Sequence, residues 1–215
     1  MSSDQLRGQA RDYYETKLRA HGPTPAGVDW NSQESQELRF ALLATLWRDE
    51  ADASILDYGC GYGALADYLR ARGHRGGYTG YDVSEAMAQA AHARVAALSG
   101  CQVTARREDL RPADFAVGSG VFNVKQEADE DTWRAYVWET VADLAVLGKR
   151  GFAFNALTCY SDADKRRPDL YYADPLEAFD RCKRTYSRFV TLLHDYPLYE
   201  FTIIVRRSPL AWPSS

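Results

Sequence analysis

The stretch that most constrains this chain is an apolar run, Ile55-Leu56-Asp57-Tyr58, that breaks into Gly59-Cys60-Gly61-Tyr62-Gly63. Three glycines at alternate positions suit a turn with positive φ and a backbone that must come close to a ligand. Helical spacing of Ala64, Leu65, Tyr68 and Leu69 follows at once. A strand that enters a glycine turn and then a helix is a nucleotide-handling unit, because the first turn of the helix leaves N–H groups free.

Around that unit the chain alternates between strand and helix, the pattern of a parallel sheet covered by helices. Strands are expected at 54–58, 77–83, 102–106, 115–118 and 150–157, with helices over 84–98 and 129–147. A short helix follows at 175–185. Two β-rich runs, 188–194 and 201–207, close the pattern and are joined by only six residues. So short a link cannot hold a crossover helix, which makes these two strands antiparallel neighbours. The expected fold is α/β: a doubly wound, seven-stranded sheet with its last strand antiparallel and helices on both faces. Residues 1–50 read as a helical preface or lid, 51–209 as the main domain and 210–215 as a tail.

Composition excludes several classes. The 46% hydrophobic content supports a sizeable core, and a formal charge of −4 argues against a nucleic-acid surface. The four cysteines are far apart, with no Cys-x-x-Cys pair and no Cys/His set at metal spacing, so no metal is expected. Reduced thiols, an N-terminus without an apolar core and the lack of a long apolar run give the expectation of a cytoplasmic protein that does not span a membrane.

Two cofactors compete for the glycine turn. Gly59-x-Gly61-x-x-Ala64 satisfies the dinucleotide fingerprint, and Asp82 stands near its ribose-binding offset, so an NAD-type oxidoreductase is the alternative reading. A non-catalytic cofactor-binding module is the other rival. Asp57, however, precedes the glycines where a carboxylate repels a pyrophosphate but suits an ammonium or sulfonium. Gly63 occupies the gap of the dinucleotide pattern, and the chain ends in the two-strand hairpin.

With those features the segment from about 53 to 207 resembles the class I S-adenosylmethionine-dependent methyltransferases. The glycine segment is similar to that family's first motif, Gly80-Tyr81-Asp82-Val83-Ser84 to its second and Arg107-Glu108-Asp109-Leu110 to its third. Ser119-Gly120-Val121-Phe122-Asn123 occupies the position after the fourth strand. The resemblance implies the strand order 3-2-1-4-5-7-6 and S-adenosyl-L-methionine as cofactor. It implies that Asp82 holds the ribose hydroxyls, where a carboxylate is a strong acceptor. Asp57 would face the cofactor's amino group, while Gly59, Cys60 and Gly61 line its ribose and methionine portion. Val83 and Met87 would pack on adenine, Asp109 and the Leu110 backbone would meet its edge, and Ser119 would complete the wall. Arg39 or Gln36 of the preface can grip a carboxylate, since a guanidinium suits that geometry. Gly63 would allow close helix–strand packing.

The acceptor site of such a fold lies beyond the carboxyl ends of the strands. His194 is the candidate base, because imidazole titrates near neutrality, with Asp195 or Glu200 to orient it; Asn123 is a second catalytic candidate. Trp30, Tyr160, Tyr171 and Tyr172 are the candidate acceptor-binding residues. His74 and His92 read as helix-surface residues without a role. The segment after strand four lacks the Asn/Asp-Pro-Pro-aromatic motif of amino-group methylation on nucleic acids and glutamine. A small molecule, a sugar or natural product methylated on oxygen or nitrogen, is the expected acceptor. Monomer and homodimer both remain open.

Overall fold

The computed structural model describes residues 1–48 and 50–209; the expected tail at 210–215 lies outside the described residues. A single sheet of seven strands forms the centre: β1 (Ile55–Tyr58), β2 (Tyr78–Tyr81), β3 (Cys101–Thr104), β4 (Ala113–Gly118), β5 (Gly148–Leu157), β6 (Phe189–Leu193) and β7 (Glu200–Arg206). Their order is β3-β2-β1-β4-β5-β7-β6. The first five strands pair in parallel, and β7 runs antiparallel to both β5 and β6. The order reverses between β1 and β4, so a crevice opens there at the carboxyl ends of the strands.

Alternation along the strands divides the core between the two faces. Leu56 and Tyr58 of β1, Phe152 and Phe154 of β5, and Phe201, Ile203 and Val205 of β7 point into one cluster. Ile55, Phe115, Val117, Ala153 and Ile204 point into the other. Because both faces are covered, β1 and β7 are buried along their whole length, which is why they read as nearly continuous apolar runs.

Among the described residues six α-helices supply the cover: α1 (Ser3–His21), α2 (Gln33–Ala44), α3 (Ala64–Ala71), α4 (Glu85–Val95), α5 (Glu130–Leu147) and α6 (Pro175–Thr185). Their starts follow from local chemistry. Ser32, Ser84, Asp129 and Asp174 each accept a backbone N–H of the first turn, and Ser2 and Gln5 form a reciprocal capping box on α1. Trp133 of α5 is fully buried and donates its indole N–H to Phe122 O at 2.9 Å, fixing α5 to the segment after β4.

Several local readings change: β2 ends at Tyr81 rather than 83, and α4 at Val95 rather than 98. β3 stops at Thr104, whose hydroxyl accepts the Arg106 N–H at 3.0 Å and turns the chain before the expected end at 106. His74 is buried rather than on a helix surface, with Nε2 2.9 Å from Ala53 O. Burial keeps its pKa below the ordinary imidazole value, so it serves as a neutral tie between the end of α3 and the start of β1.

Candidate active site

The glycine turn makes the floor of a cleft at the crevice between β1 and β4. Gly59, Gly61 and Gly63 have φ of +77°, +53° and +81°, in the left-handed region that side chains avoid. Close packing reinforces the requirement. A Cβ on Gly59 would collide with Val121 Cγ1, and one on Gly61 would stand 2.9 Å from Val28 Cγ1. At Gly63 the close neighbour is Ala91 at 3.2 Å, so this glycine admits α4 against the start of α3 rather than a helix against a strand.

Two carboxylates face each other across this turn. Asp57, at the end of β1, is buried and accepts a hydrogen bond from Tyr78 OH at 2.8 Å. Burial pushes its pKa up to about 7, against the pull of the tyrosine bond and with a further push from Asp82. Asp82, just past β2, accepts the Gly61 N–H at 2.9 Å on one oxygen and the Ser84 N–H at 3.0 Å on the other. Burial raises it to about 6, opposed by those two backbone bonds and supported by nearby Glu15. Burial also raises the Cys60 thiol well above its ordinary value, with both carboxylates adding to the effect, so it is a neutral wall rather than a nucleophile.

Asp57, Gly59, Cys60, Gly61, Asp82, Val83, Met87 and Ser119 all line this one cleft, and Trp30 joins them. The structure thus brings together residues that are up to 89 positions apart in the chain (30 to 119). Ser119 Oγ is buried there without a hydrogen-bond partner. An orphaned hydroxyl, two carboxylates raised by burial and a glycine cradle form a donor and acceptor set that a polar, cationic ligand would satisfy.

Other sequence expectations fall elsewhere. Arg39 does not line the cleft: its guanidinium is buried against Glu200, with Nε 2.9 Å from Oε2 and Nη2 2.5 Å from Oε1. Its remaining donor, Nη1, goes to Ser35 O at 2.7 Å, so it has no fork left for a ligand carboxylate. Gln36, the other preface candidate, does line the cleft and accepts from Tyr62 OH at 2.7 Å. Asp109 is exposed and bonds Thr104 Oγ1 at 3.3 Å, while Leu110 is buried in the core; neither lines the cleft. Asn123 is buried behind it, with Oδ1 unpartnered and its backbone carbonyl accepting the Tyr171 N–H at 2.8 Å.

His194 is exposed on the rim beyond β6, its ring 5.8 Å from that of Tyr160 and 6.3 Å from that of Phe201. Glu200, expected to orient it, is taken by Arg39 and Asn155. Tyr160 is exposed, Tyr171 packs on the core, and Tyr172 OH accepts the Arg167 N–H at 2.9 Å. None of these three tyrosines lines the cleft.

The sequence reading of residues 1–50 as a helical preface or lid names no cleft residue on α1. Arg7, Ala10 and Tyr14 close one end of the cleft opposite Tyr58, Tyr81 and Tyr136. The signal was present in the spacing of Leu6, Ala10 and Tyr14, four residues apart on a single helix face. Asp29 secures this cover by accepting from Lys17 at 2.6 Å and Tyr13 OH at 2.8 Å, with Arg167 of the 158–174 segment at 3.4 Å. Among the described residues no cluster of His, Cys, Asp and Glu could hold a metal ion, and no helix is long and apolar enough to cross a membrane.

The strand order with its reversed β7, and the acid–glycine–acid cleft at the switch point, define a class I methyltransferase fold. A family model described as "Methyltransferase domain" matches residues 55–133. A Mycobacterium tuberculosis protein named "Putative methyltransferase Rv1506c" is 53% identical over 155 residues, which are 72% of this chain and 93% of that protein. Among solved structures, magnesium protoporphyrin IX methyltransferase from Synechocystis PCC 6803 with bound SAM matches with a TM-score of 0.66 at 15% identity, over 97% of this chain and 98% of that one. The N-methyltransferase NodS from Bradyrhizobium japonicum WM9, in complex with S-adenosyl-l-homocysteine, matches at 0.63 and 17% identity, over 92% and 97% of the two chains. The chain belongs to the class I S-adenosylmethionine-dependent methyltransferase family.

Proposed function

We propose that this protein transfers a methyl group from S-adenosylmethionine to oxygen or nitrogen of a small-molecule acceptor, of the sugar or natural-product kind. The observation that carries the reading is the pair of carboxylates, buried Asp57 and half-buried Asp82, on either side of a glycine turn whose positive φ and close neighbours disfavour any side chain. When bound, the cofactor supplies an activated sulfonium methyl, so the protein needs no nucleophile of its own. Asp82 holds two hydroxyls through the lone pairs that its backbone bonds leave free, and Asp57 balances a cationic amino group. Gly59 and Gly61 keep the floor free of side chains, Val83 and Met87 give an apolar face, and Ser119 offers its free hydroxyl.

The remaining work is apposition and exclusion of water. Trp30, Tyr14 and Phe40, from the preface, stand over the cleft and limit solvent access. The acceptor enters from the side of the segment after β4 and the 158–174 insertion. Tyr160 and His194, both exposed with rings 5.8 Å apart, and half-buried Tyr172 are the aromatic candidates for contact with the acceptor. Support for a small acceptor comes from the net charge of −4 and from the walled shape of the cleft, which suits a compact substrate rather than a polymer. Incubation with labelled cofactor and a metabolite extract, with the product identified by mass, tests it. A labelled small molecule is expected; label found only in protein or nucleic acid overturns the acceptor class.

A further inference from the structure

Arg39, Glu200 and Asn155 form a buried polar chain directly behind the cleft, and none of them lines it. Glu200 takes the Arg39 fork on one side and the Asn155 Nδ2 donor at 2.5 Å on the other. Asn155 Oδ1 accepts the Gly120 N–H at 2.9 Å, which also fixes which way its amide points. At the other end the Arg39 guanidinium lies 3.9 Å from the centre of the Trp30 ring. Trp30 in turn covers Gly120 so closely that a Cβ there would overlap the indole, and Gly120 itself sits at φ +72°. The chain therefore closes on itself, and its two ends, Trp30 and Gly120, are adjoining walls of the cleft.

A buried ion pair contributes little net stability compared with apolar packing of the same volume. Its particular property is direction: each bond sets the angle of the next group. We propose that Arg39, Glu200 and Asn155 are positioning residues that hold the Cζ2–Cη2 edge of the Trp30 indole against Gly120 and so set the shape of the wall beside Ser119. This role rests on the reading of the cleft as the methyl-transfer site. The sequence assigned Arg39 to the cofactor; its partner is instead 161 positions away, at the start of β7.

The test uses the full chain and the double variant Arg39→Leu/Glu200→Leu, which removes both charges together, with Arg39→Lys as a conservative second variant. Lysine keeps a charge near Glu200 but can neither form the fork nor stack flat on the indole. Trp30 is read by acrylamide quenching as the difference between each protein and its Trp30→Phe counterpart, since the chain has five tryptophans. Calorimetry with S-adenosylhomocysteine is run in parallel. In either folded variant the Trp30 quenching constant is expected to rise about twofold or more. Affinity for S-adenosylhomocysteine is expected to fall on the order of tenfold, the scale of one lost oriented contact. A folded variant whose Trp30 quenching matches wild type overturns the positioning role. Absence of S-adenosylhomocysteine binding by the wild-type protein overturns the cofactor reading instead, and the ligand-free quenching result still decides the role of the polar chain.

Discussion

Asp82 shows how one residue serves both fold and site. Its carboxylate closes the glycine turn through Gly61 and starts α4 beside Ser84, yet it still faces the cleft. Asp82→Ala is expected to weaken S-adenosylmethionine binding by roughly a hundredfold, since hydrogen bonds to a charged group contribute about 1.5–3 kcal/mol each. Circular dichroism should show the same fold, and binding at wild-type affinity would remove the ribose assignment. His194→Ala should lower kcat by less than about tenfold, whereas a general base contributes about 10²–10⁴. The ring is exposed and is not among the residues that line the cleft.

The two carboxylates also predict the pH dependence. In the ligand-free protein Asp57 and Asp82 hold their protons up to about 7 and about 6, against an ordinary 3.8. Their protonated forms thus favour the folded state. That contribution is complete below pH 3.8 and is lost as pH rises through 6 and 7. A cationic ligand selects the ionised forms, so its affinity should have the opposite slope, highest above pH 7 and falling as the pH drops through 7 and 6. Calorimetry in buffers of different ionisation enthalpy should show proton release on binding within that window. An affinity that is flat across it would contradict the account.

Among the elements, α1 carries the largest consequence. Leu6 is buried in the same cluster as Leu56, Trp133 and Phe201, so the lid helix is anchored in the domain core rather than resting on it. Leu6→Ala should cost about 2–5 kcal/mol locally, the range for a buried leucine. The readout is hydrogen exchange: faster exchange confined to α1, together with weaker cofactor binding, is expected. Exchange that rises equally throughout the sheet would mean that α1 is not a separately opening element.

Legibility at this scale followed the range of the interactions. The helix at 175–185 and the hairpin before β7 were readable because a proline after an aspartate cap and a six-residue link are local signals. The acid–glycine–acid floor was readable for the same reason, being two short segments with fixed spacing. The fate of Arg39 was not, because an arginine on a preface helix gives no sign of a glutamate arriving on the seventh strand. Asp109 was misplaced for a related reason: a motif position says which strand end a residue follows, but not that its carboxylate turns toward Thr104 and Arg106.

For the whole molecule, the sheet order places the site and the preface encloses it. The reversal between β1 and β4 opens the crevice, β5 and β7 carry the polar chain behind it, and α1 and α2 form its cover.

The most direct measurement is a calorimetric titration of the purified protein with S-adenosylmethionine, and separately with NAD, above pH 7, where both carboxyls are ionised. Saturable one-site binding of S-adenosylmethionine, weakened roughly a hundredfold in Asp82→Ala, with no heat from NAD, is the predicted result. Binding of NAD without binding of S-adenosylmethionine would contradict it.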